Sequence, residues 1–279
     1  MQVSSASKRR AGRATALALA LALLPGMAAQ AAPPPLRALV VTIVAQGGFL
    51  EWLVEQAVAA GTVTPLALDV AHVRELDQRL AEGSYDLVIA HAHARPAQRL
   101  AVRGVLAAGT PVFANPRAII GPADDPAGLR GAASLDDALT RLAAHGGCWV
   151  HHAHGGLVDL QPAADATDRC VLVPAATGPG GALAAAREHG AYTLWGYHPF
   201  SRRAAPGLAA IVTGDARLLA TLLAWPVATT PRREEVDELI ALLASPAIQQ
   251  RLATFRLAGD PANQAWWPAS AAAAVTPAP

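Results

Sequence analysis

Lysine is nearly missing from this chain of 279 residues: after Lys8, every further basic residue is arginine. Against an alanine-rich background this is a mark of nucleotide composition and carries no function. Cysteine is scarce as well, and two residues are too few for a scaffold built on disulfides. Cys148 and Cys170 can pair in an oxidising compartment, but their spacing alone does not show that they meet. Charged residues make up only 15% of the chain, whereas apolar residues make up 53%, which excludes a disordered polymer. Positive charge is not in surplus either. The formal +1 comes from the first 31 residues, where Lys8, Arg9, Arg10 and Arg13 meet no acidic residue. The other 248 residues hold 18 basic and 21 acidic side chains, a net −3. That balance leaves no electrostatic footprint for nucleic acid. No apolar run reaches the ~20 residues of a spanning helix; the run from Ala14 to Met27 is broken at Pro25. The fingerprints GxGxxG, GxSxG and HExxH are missing too.

What is present begins with an address. The basic stretch, the apolar run from Ala14 to Leu24 and the small-x-small triplet Ala29-Gln30-Ala31 read as a cleaved secretory signal over residues 1–31. Arg9-Arg10 raises a twin-arginine route. Export places the mature protein in the periplasm.

The mature chain reads as α/β. Strands are expected at Leu39–Val44, Thr62–Val70 and Tyr85–Ala90, with helices at Phe49–Val58, Val73–Leu80 and Arg95–Ala108. That alternation implies βαβ units and a parallel sheet. Pro111–Ala114 and Ala118–Ile120 read as separate extended pieces, followed by a helix at Ser134–Ala144 with Ser134 as N-cap. Further strands are expected at Cys148–His151, Cys170–Pro174, Ala191–Leu194 and Leu222–Ala228, and helices at Ala182–His189, Arg232–Ala244 and Pro246–Thr254. Asp124-Asp125 before Pro126 reads as turn chemistry.

Four stretches carry a resemblance. Ile119–Leu129 reads IIGPADDPAGL, and Asp86–Ala92, Glu188–Leu194 and Leu242–Ile248 accompany it in the same order. Together they resemble the substrate-binding proteins of tungstate-type ABC transporters, over roughly residues 36 to 268. The resemblance implies the type II periplasmic binding protein fold: two lobes, each a mostly parallel sheet flanked by helices. On it, residues 32–117 and 228–268 form lobe 1 and residues 118–227 form lobe 2, with a disordered tail at 269–279. It also implies a binding protein with no catalytic residues and no cofactor. Such a protein acts as a monomer, holding an oxyanion or small polar ligand between the lobes and docking on a membrane permease, with no part for nucleic acid.

The family's hydroxyl-rich TTTST run falls on Val40–Val44, where only Thr42 keeps a hydroxyl. Its SRGDDSGTH segment falls on His151–Asp159, and the arginine position becomes His152. The glycine-rich helix entrance survives as Thr177-Gly178-Pro179-Gly180-Gly181. The expected ligand contacts are therefore Thr42, Gly47, Gly48, His152, Thr177, Gly178, Gly180, Gly181 and Tyr197, with a specificity drifted from tungstate. Two alternatives stand beside this reading. One is a non-transport binding or sensor-partner protein on the same fold. The other is a transition-metal binder using His93, His151 and His154. Trp266-Trp267 is expected to pack the lobes together.

Overall fold

The computed structural model describes residues 34–46, 48–60, 65–151, 170–172, 180–257 and 260–273, all within one unit, Pro33–Pro279. The signal over residues 1–31 lies outside them. Lobe 1 opens with β1 (Leu36–Val41), α1 (Phe49–Ala59), β2 (Leu66–Ala71), α2 (Leu76–Glu82), β3 (Leu87–His91) and α3 (Arg95–Val102). β1 pairs in parallel with both β2 and β3, the βαβ grammar the sequence implies. β4 (Thr110–Pro122) then leaves lobe 1 and enters lobe 2, made of α4 (Leu135–His145), β5 (Trp149–Val150), β6 (Val171–Leu172), α5 (Gly181–Glu188), β7 (Tyr192–Gly196), α6 (Tyr197–Ser201) and β8 (Leu208–Val212). A 3-10 turn at Ala216–Leu218 leads into β9 (Leu219–Pro226), which returns to lobe 1. There α7 (Arg233–Leu243), α8 (Pro246–Leu252), β10 (Arg256–Leu257), β11 (Asp260–Gln264), β12 (Trp267–Pro268) and α9 (Ala269–Ala273) follow.

The strand order is β2-β1-β3-β9-β4-β7-β5-β6, with β8 and β12 also on β4. Strands away from the crossing are parallel, while β4 and β9 run antiparallel to their neighbours. The expected α/β class and two-lobed plan are what the chain adopts.

β4 is one strand of 13 residues, where the sequence suggests two pieces separated by Pro116. Pro116 sits beyond the pairing of Trp267 with Ala114 and before that of Gly196 with Arg117. One edge of β4 is unpaired there, so the missing N–H costs no ladder bond.

Burial follows strand alternation. In lobe 2, Ile119, Trp149 and Leu194 enter one core and Ala118, Ile120, Val150 and Trp195 the other, so that sheet is covered on both faces. Lobe 1 has one core of Leu39, Phe49, Leu53, Ile89 and Phe113, which also takes in β9 from Leu222 onward. β9 takes its place between β3 and β4. Residues 269–273 correct the expected disordered tail. They form α9, where alanine favours helix and the Ala269 N–H donates to Gln249 Oε1 at 2.9 Å.

Two resemblance stretches meet in lobe 2. The Tyr192 hydroxyl donates to Asp125 Oδ1 at 2.8 Å and accepts the Ala127 N–H at 3.1 Å. Asp125 also accepts N–H bonds from Leu129 and Arg130. Burial pulls its carboxyl upward, but these donors outweigh burial and hold the group below the usual range. A Cβ on Gly121 would stand 2.2 Å from the Tyr192 ring, so only glycine fits beneath it. Asp125 is the organiser of a turn, as expected. Ser134 is likewise the N-cap of α4, accepting the Asp137 N–H at 3.1 Å.

Candidate functional site

Strand register fixes how the lobes meet. β3 and β4 both run antiparallel to β9, so they are parallel to each other, with His91 and Phe113 both opposite Leu222. β7 runs antiparallel to β4 and ends at Gly196, opposite Arg117. The carboxyl ends of β1, β2 and β3 therefore point toward lobe 2, and those of β5, β6 and β7 point back. Open α/β sheets bind ligands at such ends. The cleft is flanked by the turns after β1 and β3, the end of β5, the start of α5 and the β7–α6 junction.

On the lobe 1 side, Thr42 donates both its N–H and its hydroxyl to the Ala71 carbonyl, at 3.1 Å each. This hydroxyl, expected to reach a ligand, ties β1 to β2 instead. Gly48, exposed, takes φ +81° before α1, which no side chain caps, and open space surrounds its α-carbon. Gly47 lies outside the described residues.

At the end of β3, the His91 and His93 rings stack 5.0 Å apart at 15°. His91 Nε2 is 2.9 Å from Asn115 Oδ1. Loss of water lowers both pKa values. His91 falls to about 4, with the Arg117 charge adding to the fall and Asn115 opposing it. His93 falls to about 2, with His91 and Arg117 adding to the fall. Both imidazoles are neutral at physiological pH.

Their pH effect has a definite sign. An unfolded histidine takes its proton near 6.5, whereas the folded pair refuses it, so stability is full above 6.5 and drains as pH falls toward 4. Each histidine should contribute a slope of about 1.4 kcal/mol per pH unit. His93→Phe keeps the ring stacked but cannot titrate. Urea midpoints between about pH 6 and 4.5 should lose about one proton of slope in that variant; an unchanged slope counts against the assignment.

On the lobe 2 side, His151 directly follows β5 and donates its N–H to the Leu172 carbonyl. His152, His154, Thr177 and Gly178 lie outside the described residues. Gly180 and Gly181 open α5, again with no side-chain cap. A Cβ at Gly180 would stand 3.2 Å from Nη1 of Arg203, an exposed residue just beyond α6. Sequence reasoning missed Arg203; its signal was the Arg202-Arg203 pair directly after the β7–α6 junction. No carboxylate among the described residues pairs with it. A guanidinium and the positive end of a helix therefore face each other, an arrangement that an anion between them would relieve.

Tyr197 begins α6 and lines a hinge pocket with Pro116 and Trp267. Trp266, fully buried, stacks on Phe49 at 4.2 Å and meets Phe113 and His198 edge-on. Since Phe49 starts α1 and His198 belongs to α6, the Trp266 ring joins the two lobes. Among the described residues, no three His, Cys, Asp or Glu side chains converge on a metal position. His93 is engaged with His91, not with His151. Cys148 and Cys170 form a disulfide joining the starts of β5 and β6.

No protein-family model matches the chain, and no curated protein sequence does so significantly. Solved structures do. The tungstate-binding protein TupA from Desulfovibrio alaskensis G20 superposes with a TM-score of 0.66 at 23% identity, over 85% of this chain and 99% of that one. The tungstate ABC transporter structure from Geobacter sulfurreducens gives 0.58 at 20% identity, over 79% and 98%. A substrate-binding domain assigned to a molybdenum ABC transporter of Clostridium difficile gives 0.53 at 13%, over 78% and 95%. At these identities the likeness establishes architecture: the chain has the two-lobed type II periplasmic binding protein fold.

Proposed function

We propose that the protein is an exported, periplasmic solute-binding protein that captures a small oxyanion in its interlobe cleft and passes it to an ABC-type permease. It works as a monomer and catalyses no reaction. The observation that carries this reading is Arg203 against the uncapped start of α5. Backbone N–H groups, the helix dipole and one guanidinium there converge where an anion is stabilised by all three. The solved tungstate-binding structures of the same fold support it.

The specificity has moved away from tungstate. A hydroxyl cradle on the lobe 1 side would need Thr42, whose proton is committed to Ala71, and its neighbours Val40, Val41, Ile43 and Val44 offer no side-chain donor. Capture then relies on Arg203 and on backbone N–H groups at Gly48, Gly180 and Gly181, joined by Gly47, His152, Thr177 and Gly178.

Thermal melting against tungstate, molybdate, phosphate and sulfate tests this. An anion at 100 times its Kd should stabilise the fold by about 2.7 kcal/mol, and Arg203→Gln should weaken that anion at least tenfold, about 1.4 kcal/mol. A micromolar response to tungstate overturns the drift in specificity. Silence with every anion overturns capture and favours the sensor-partner alternative. Stabilisation only by zinc, copper or nickel favours the histidine alternative.

A further inference from the structure

The hinge carries a pocket of about 310 Å³ that the anion reading does not use. Its position follows from register. Trp267 pairs with Ala114 and Leu219 with Pro116, so these side chains stand on the face of β4 opposite to Phe113 and Asn115. His91, which contacts Asn115, belongs to the other face. Arg117 links the two places: it lines the pocket, and its charge also acts on both histidines.

Its walls are largely apolar: Pro116, Leu218, Leu219 and the rings of Tyr197 and Trp267. The two charged side chains that reach it are already satisfied. The Arg117 guanidinium, 7% exposed as a residue, donates to the carbonyls of Arg217, Leu218 and Leu219. Asp215 accepts the N–H groups of Leu135 and Arg217 and pairs with the Arg217 guanidinium. Burial raises the Asp215 carboxyl, but those donors outweigh it and keep it ionised. Both groups already hold partners within the chain, so a charged ligand would have to displace these to recover the desolvation of its own charge. Two lining groups have no hydrogen-bond partner among the described residues: the exposed Thr213 hydroxyl, and Oε1 of Gln264, whose amide N–H donates to the Trp266 carbonyl.

We propose that this pocket is a second ligand site, taking an uncharged molecule with a flat ring body and one or two hydrogen-bonding groups. The volume lies at the small end of known ligand pockets, ~300–1,000 Å³, which suits a single ring. The occupant touches lobe 2 through Ala210 and Thr213, and the returning lobe 1 segment through Gln264 and Trp267. This proposal does not depend on anion capture.

The test uses an isosteric charge series read by saturation-transfer NMR on the purified full chain: benzamide, benzoate and benzylammonium. Benzamide should bind with about millimolar Kd. Benzoate and benzylammonium should bind at least tenfold more weakly. Thr213→Trp, which sets an indole at an exposed lining position, should weaken benzamide at least tenfold while the melting temperature holds. Ala210→Leu, adding bulk at a lining position on β8, should do the same in case the first variant folds poorly. The proposal is overturned if benzamide gives no transfer to the wild-type chain or if either charged probe binds as well. Unchanged benzamide binding in both variants also overturns it.

Discussion

Trp266→Ala should cost the fold about 3–5 kcal/mol, the range for deleting a large buried aromatic. In a chain of this size that is a fall in melting temperature of roughly 6–20 °C. The side chain is fully buried, stacked on Phe49 and edge-on to Phe113 and His198. The loss should therefore be felt in both lobes at once, as one cooperative transition at a lower temperature. Trp266→Phe discriminates the source of the effect. The Trp266 Nε1 proton is buried with no acceptor among the described residues, so a phenyl ring keeps most of the stacking and removes an unsatisfied donor. Its cost should be less than half that of alanine. Equal costs for the two variants would show that the ring contributes bulk and not stacking.

The second large effect concerns the disulfide. Cys148 and Cys170 are 22 residues apart, and closing a loop of that length restricts the unfolded chain by about 3 kcal/mol. Reduction should lower the urea midpoint accordingly, and Cys148→Ala/Cys170→Ala should match the reduced wild type. A loss below about 1 kcal/mol would mean that the reduced chain holds the loop closed by other means. β5 and β6 are only two residues each, so the cross-link does for this corner of lobe 2 what longer strands do elsewhere.

Much of the architecture was legible because it rests on local chemistry. The β-branched run around Val40 and Val41, the Ser134 cap and the Pro126 turn each announce themselves within a few residues. The contacts between distant stretches were not. Tyr192 and Asp125 lie 67 positions apart, and nothing in either stretch says that a tyrosine hydroxyl closes the aspartate's turn. The proposed site was legible only in outline. Spacing led to the glycines before α5, since a bare helix entrance is a local pattern. Arg203 escaped because its approach to Gly180 depends on where α6 ends, a matter of packing. The bond of Thr42 was hidden for a related reason: a hydroxyl in sequence is a free donor, and only the β1–β2 register reveals Ala71 as its acceptor.

The place of β9, between β3 and β4, governs the order in which the molecule can be completed. The first sheet lacks a central member until residue 226 has emerged, although its outer strands are finished by residue 91. During synthesis the early strands must wait for more than a hundred further residues before that gap closes. Contacts of such long sequence separation make folding slow relative to chain growth. The unfinished half-sheet, with β3 unpaired on one side, is the stage at which this chain is most exposed to wrong partners.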